Sequence, residues 1–293
     1  MNEKTRGYLF AVSAVSMFAA QDGITKHLIG SYPPVFITML RFWAFAVFVL
    51  LYSACSPRGI RQAARTHHPW LQVARGCLLA LEIVLAVIAY KYAGLAMSQA
   101  VIQSTPLFVT VLSVPLLGET VGWKRATAVV AGLVGVLIII NPVEAEFGIS
   151  TILPVLVALS FALYSIATKV VSRKDSSVTS LLYTGIAGAI SITLIGPFYW
   201  THVAPTDWYF ILLLCVSGAV SHYFLIIAYG YLLAVEVQPV SYLQLVLNVL
   251  MGALIFNEVV TGNMIIGSII VVAAGLFTVW RESRVNRGGN PRI

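Results

Sequence analysis

Charge is scarce in this sequence. Of its 293 residues only 10% are Asp, Glu, Lys or Arg, against 59% hydrophobic residues and a mean hydropathy of +0.90. That balance excludes an ordinary soluble domain, which could not hide so much apolar surface from water. Cysteine is scarce too. Cys55, Cys77 and Cys215 stand apart with no CxxC spacing, so neither a disulfide framework nor a cysteine zinc site is expected. No HExxH motif occurs, and His67-His68 lie in a basic stretch without an acidic partner. No metal or cofactor is therefore expected. Ser217 and His222 are five positions apart on one helix and point in different directions. With no G-x-S-x-G elbow or oxyanion arrangement around Ser217, an enzyme is not expected. Extended polar stretches are also missing: the one sizeable polar loop is 55–69, which leaves little chain for a soluble domain.

Long apolar runs take up the rest. A membrane-spanning helix needs about 20 apolar residues, and ten runs fit: 7–28, 35–54, 71–91, 97–117, 123–140, 149–170, 178–199, 208–231, 238–257 and 262–281. The net charge of +7 is distributed in step with them. If the spans alternate, one side receives Lys4 and Arg6, Arg58, Arg61 and Arg65, Lys124 and Arg125, Arg173 and Lys174, and the basic tail from Arg281. The other side holds Lys26, Lys91, Arg41 inside the second span, and the acidic pair Glu144 and Glu146. This is the positive-inside pattern, which places both termini in the cytoplasm. The basic excess is thus a topology signal and not a sign of nucleic-acid binding. The apolar start after Lys4 and Arg6 resembles a signal peptide, but its counterpart at 149–170 occurs where no signal can be.

That counterpart belongs to a duplication. At an offset of 139, Tyr90 falls on Tyr229, Tyr92 on Tyr231, Gln99 on Gln238 and Glu119 on Glu258. At an offset of 143, Phe18-Ala19 and Thr25-Lys26 fall on Phe161-Ala162 and Thr168-Lys169. The chain divides into 1–143, 144–285 and a cytoplasmic tail, 286–293. Five spans per copy is an odd number, so the second copy enters the membrane upside down. The expected fold is all-α: ten transmembrane helices in two inverted five-helix repeats around a central cavity. This is the plan of many secondary transporters, with the site near the midplane between repeats; the plainer alternative is that duplication only built a stable bundle. A channel would call for a charged or carbonyl-lined filter, and no filter sequence is present.

The span ending Pro-Leu-Leu-Gly-Glu (115–119), followed by a last span with Gly132 and Gly135, resembles the EamA-type repeats of the drug/metabolite transporter superfamily. So does Phe-Asn-Glu (256–258), followed by Gly267 and Gly275. The second copy departs from the pattern at Asn257, where the first has Gly118. The resemblance covers nearly the whole chain and implies two five-helix repeats around a cavity, with the last helix of each repeat peripheral. Within the superfamily the chain is most similar to YddG-type bacterial exporters of aromatic and other neutral amino acids. This implies a multi-pass protein of the cell inner membrane.

Ionisable groups inside spans are expensive and are functional candidates by default. Asp22, beside Gln21, lies in the outer part of the first span, and Arg41 at similar depth in the second, where the two can pair as a structural bridge or an outer gate. Glu82 at the middle of the third span is a proton carrier or a neutral carboxyl bonded to a neighbouring helix. His222 near the middle of the eighth is a titrating group or a neutral hydrogen-bonder. In the fourth span Gln99, Gln103 and Pro106 share one face. Pro106 frees a carbonyl near Ile102, which protein or cavity water must satisfy. The ninth span repeats the polar face with Gln238, Ser241, Gln244 and Asn248, and Tyr164 in the sixth follows the same logic. These are cavity-wall candidates, with interhelical glue as the alternative. Tyr90 and Tyr229, with Tyr92 and Tyr231, are gate or interfacial-belt residues. Trp70, Trp123, Trp200, Trp208 and Trp280 fit such a belt. Glu119 and Glu258 suit the positive end of the helix that follows each. The small residues of the last spans permit close packing, within a repeat or in a homodimer. The expected partners are a small-molecule substrate, most simply a neutral or aromatic amino acid, and membrane lipid. The alternative is a purine, an organic cation or a drug-like compound.

Overall fold

The computed structural model describes residues 3–55, 59–118, 121–141, 148–232 and 234–288. Among the described residues every regular element is helical: α1 (Glu3–Leu28), α2 (Pro34–Cys55), α3 (Gly59–Ala63), α4 (Pro69–Tyr92), α5 (Leu95–Ile102), α6 (Thr105–Leu117), α7 (Trp123–Ile140), α8 (Ile149–Val171), α9 (Ser177–Thr193), α10 (Asp207–Tyr231), α11 (Ala234–Leu254) and α12 (Gly262–Gly288), with one 3-10 turn at Gly196–Tyr199. Among the described residues seven segments are long and apolar enough to cross a membrane: α2, α4, α5 with α6, α7, most of α8, the first part of α10 and 262–280 of α12. α9 and the 240–254 part of α11 are shorter apolar helices. α1 carries Asp22, Lys26 and His27 in its second half and falls outside the seven.

Local chemistry sets several ends. Pro34 and Pro69 open α2 and α4, where a missing N–H has no helical partner to lose. Ser176 caps α9 by accepting from the Thr179 N–H at 3.1 Å. Pro106 splits the fourth span into α5 and α6. The carbonyls released there are taken up by the chain's own side chains. Ser104 Oγ donates to the Val101 carbonyl at 2.6 Å, and Thr105 Oγ1 to that of Ile102 at 2.7 Å. Of the two ways to satisfy that carbonyl, the protein is the one used.

The packing crosses between the two sequence copies. α4, the third long helix of the first copy, lies on α8 and α9, while α10 lies on α1 and α2. The last helices, α7 and α12, pack on each other. A Cβ on Gly267 would come within 2.5 Å of the Gly135 carbonyl oxygen, and one on Gly132 within 3.0 Å of Ala274 Cβ. Small side chains let the backbones approach, as membrane helices without a hydrophobic driving force require. The stripe expected to pack helices within a repeat or to join two subunits therefore joins the last helices of the two copies inside one chain. Gly267→Ala forces that pair apart. Overpacking of this kind costs about 1–3 kcal/mol, so a lower thermal midpoint is expected in detergent, and an unchanged midpoint would contradict the close approach. The belt tryptophans, Trp70, Trp123, Trp200, Trp208 and Trp280, are all exposed. Trp43 is exposed at its ring and donates to Thr193 Oγ1 at 2.8 Å.

Candidate functional site

Gln21 and Asp22 are neighbours on α1 and serve two adjoining structures. Asp22 is the hub of a polar layer. Its Oδ2 accepts from Gln99 Nε2 at 3.1 Å, Gln244 Nε2 at 2.8 Å and Asn248 Nδ2 at 2.8 Å. Its Oδ1 accepts from the Tyr90 hydroxyl at 3.2 Å, and Gln99 Nε2 also donates to that hydroxyl at 2.6 Å. One carboxylate thereby holds α4, α5 and α11 against α1. Gln244 and Asn248 are four apart, one helical turn, so both reach the same oxygen.

The second structure is a pocket between α1, α2, α4 and α10. Arg41 and Gln21 give it polar atoms on one side and His222 on another, Phe42 and Phe45 supply rings, and Leu79, Ile83 and Leu214 apolar wall. With its amide oxygen turned to the guanidinium, Gln21 accepts from Arg41 Nε at 3.2 Å and from Nη2. The expected direct pair between Asp22 and Arg41 does not form, because four donors already occupy the Asp22 oxygens. Gln21 takes the guanidinium in its place. His222 bonds the Gly218 carbonyl through Nδ1 at 2.8 Å. A carbonyl only accepts, so Nδ1 carries the hydrogen, and in the neutral ring Nε2 is an acceptor. Phe18 and Phe45 each hold this ring at 5.0 Å between centroids. Glu82 makes no hydrogen bond among the described residues and lies within the electrostatic reach of Arg41.

Other expected wall residues lie elsewhere. Gln103 donates to the Ser241 carbonyl of α11 at 2.9 Å and joins two helices, as does the Asp22 layer. Pro106 breaks the fourth span and does not line this cavity. Tyr164 does not line this pocket either. It lies under the guanidinium of Arg75, 5.1 Å from ring centroid to Cζ, and accepts from Arg75 Nη1 at 3.3 Å. Tyr90 belongs to the Asp22 layer. The side chains of Tyr229 and Gln238, and all of Glu119, are outside the described residues.

Three features were not anticipated. Arg75, only 2% exposed, ties α4 to α8 and α9 through Thr168 Oγ1 at 2.9 Å, the Ser180 carbonyl at 2.6 Å and Thr184 Oγ1 at 2.7 Å. The rule that singled out Glu82 applies equally to Arg75, which also lies inside the third span. Next to it, Asp175 accepts from the His67 N–H at 2.8 Å, Gln72 Nε2 at 2.9 Å and the Thr66 hydroxyl. Burial pushes this loop carboxyl up, but these donors outweigh it and hold it below the usual carboxylate range. Lastly, Glu258 does not cap the helix that follows it. Thr261 Oγ1 accepts from the Met264 N–H of α12 at 3.3 Å, while Glu258 accepts from Leu95 N–H at 2.7 Å and Ala96 N–H at 2.8 Å, at the start of α5 in the other copy. The helix-dipole reasoning holds for a different helix.

A multi-pass helical bundle with a partly polar pocket between its helices fits a membrane transport protein. The EamA-like transporter family model matches residues 5–141 and again 148–280, and the chain belongs to that family. It is 32% identical to a riboflavin transporter of Rhizobium johnstonii, over 84% of this chain and 82% of that protein. It is 27% identical to an S-adenosylmethionine uptake transporter of Rickettsia conorii, over 97% of both chains. One solved crystal structure has the same fold, with a TM-score of 0.62 and 19% identity, over 96% of this chain and 99% of the other. The protein is a membrane transporter of small metabolites.

Proposed function

We propose that the chain is a carrier for a small aromatic metabolite of neutral or negative charge, of the riboflavin class, working by alternating access. The observation that carries this reading is the composition of the cavity wall. Its polar groups are a guanidinium, an amide and an imidazole beside two phenylalanine rings, with no carboxylate among its lining residues. Phenylalanine faces suit a planar ring, and fixed donors suit its carbonyl and ring-nitrogen acceptors. The sulfonium of S-adenosylmethionine would lie near the Arg41 charge with no carboxylate on the lining to offset it. A second reading, a neutral aromatic amino acid, is favoured by the same guanidinium, whose fork matches a carboxylate. Counting α1, α9 and α11 with the seven apolar spans gives ten. The halves 1–143 and 144–285 are then inverted relative to each other, and both termini and the tail 286–293 lie in the cytoplasm beneath the inner membrane. Alternating access is reversible, so the substrate gradient or a coupled ion sets import or export.

Thermal unfolding of the purified protein with a panel of ligands tests the substrate. A ligand at about 100 times its Kd adds about 2.7 kcal/mol to the folded state. Riboflavin is expected to raise the midpoint and S-adenosylmethionine to leave it unchanged. A shift confined to aromatic amino acids would favour the second reading, and a shift with S-adenosylmethionine alone would overturn both.

A further inference from the structure

We propose that Lys26 and Glu258 form a latch that opens and closes once in each transport cycle; this rests on the carrier reading above. The two side chains form an ion pair at 3.1 Å and are only 18% and 16% exposed. Lys26 Nζ also donates to the Tyr90 carbonyl at the end of α4, and the Glu258 carboxylate holds the first two N–H groups of α5. One acidic side chain of the second copy thus fastens α1, α4 and α5 of the first.

The backbone is shaped to admit that carboxylate. Gly94 has φ of 84°, a conformation open chiefly to glycine, and a Cβ there would lie 2.9 Å from Glu258 Oε1. A Cβ on Gly252 would lie 2.7 Å from Oε2. The Glu258 N–H donates to the Gly252 carbonyl at 2.8 Å, which turns the loop back under α11. Position along α1 gives the contact its role. Lys26 is one helical turn beyond Asp22 on the same face, and Asp22 adjoins Gln21 on the cavity wall. The cavity and the Asp22 layer therefore lie side by side at one depth of α1, and the Lys26–Glu258 contact lies one helical turn further toward its C-terminal end. All the groups in it are charged or polar and sit at helix ends, where water can replace each partner on opening. A largely buried ion pair gains little net free energy once its desolvation is counted, which suits a contact that must break repeatedly. A permanent brace between the halves would be better built from apolar packing, as α7 and α12 are.

Two measurements test the latch. In Glu258→Gln the amide still reaches α5 but the charge is lost. Amide hydrogen exchange at Leu95 and Ala96 is expected to quicken roughly tenfold, with no change at 132–136 in α7. Unchanged exchange at 95 and 96 would overturn the proposal. In the second, Lys26→Cys and Glu258→Cys are combined and joined by a short, reducible bis-thiol crosslinker, with each single variant as control. Flux into proteoliposomes is expected to fall roughly tenfold or more, to return on reduction, and ligand-induced stabilisation is expected to persist. A brace that never opens would tolerate the link, so full flux in the crosslinked protein would overturn the latch. A wild type that moves none of the metabolites would reject the carrier reading instead, and the exchange result would still decide whether this contact is held by charge.

Discussion

Changing Arg41 to glutamine is expected to lower transport roughly ten- to hundredfold, because a charge-assisted hydrogen bond to the substrate contributes about 1.5–3 kcal/mol. The guanidinium is the cation on the cavity wall and is positioned by the Gln21 amide. It is not consumed by an ion pair, since Asp22 turns both oxygens to other donors. Its remaining N–H groups are available to a substrate. Glutamine keeps some length and polarity but loses the charge and the fork. Arg41→Lys keeps the charge without the fork and should fall between the two. The fold should survive, because removing a charge from a membrane interior relieves a desolvation cost. Initial rates in proteoliposomes with matched protein content check this. A glutamine variant at the wild-type rate would remove Arg41 from the site.

Changing Asp22 to leucine is expected to damage the fold itself. It leaves the amide groups of Gln99, Gln244 and Asn248 and the Tyr90 hydroxyl without their common acceptor. Each unsatisfied donor costs about 1–3 kcal/mol. Partial rearrangement leaves a net loss of about 3–5 kcal/mol, which at about 2–4 °C per kcal/mol is a midpoint lowered by roughly 10 °C. Asp22→Asn retains one acceptor and should lose less. Differential scanning in detergent separates these outcomes. A leucine variant as stable as the wild type would show that the layer does not hold α1, α4, α5 and α11 together.

The polar residues of this layer could be picked out from sequence because polar groups in a lipid-facing run need a reason to be there. Gln99, Gln244, Asn248 and Asp22 all qualified on that ground. Their mutual partnership could not be read, since Asp22 and Asn248 are separated by 226 positions and helical periodicity reports a face but not what covers it. Arg41 and Asp22 looked like a pair because they share a depth, yet amide competition for the carboxylate decided otherwise. Tyr164 looked like a cavity residue by analogy of span, but Arg75 draws it into a clamp with α9. Arg75 itself sits near a span end, where a basic residue is easily taken for an interfacial one. The helix-terminal role of Glu258 followed from electrostatics, whereas its crossing to α5 depends on the loop geometry at Gly252 and Gly94. The duplication was the most legible feature of all, because it needs only the sequence compared with itself.

Counterflow tests the central claim most directly. Proteoliposomes loaded with unlabelled riboflavin are diluted into a trace of the labelled compound. A carrier with an alternately exposed site predicts transient accumulation of label above its equilibrium level, saturable and strongly reduced in Arg41→Gln. A monotonic approach to equilibrium that neither saturates nor depends on Arg41, or no entry for riboflavin or any aromatic amino acid, would contradict it.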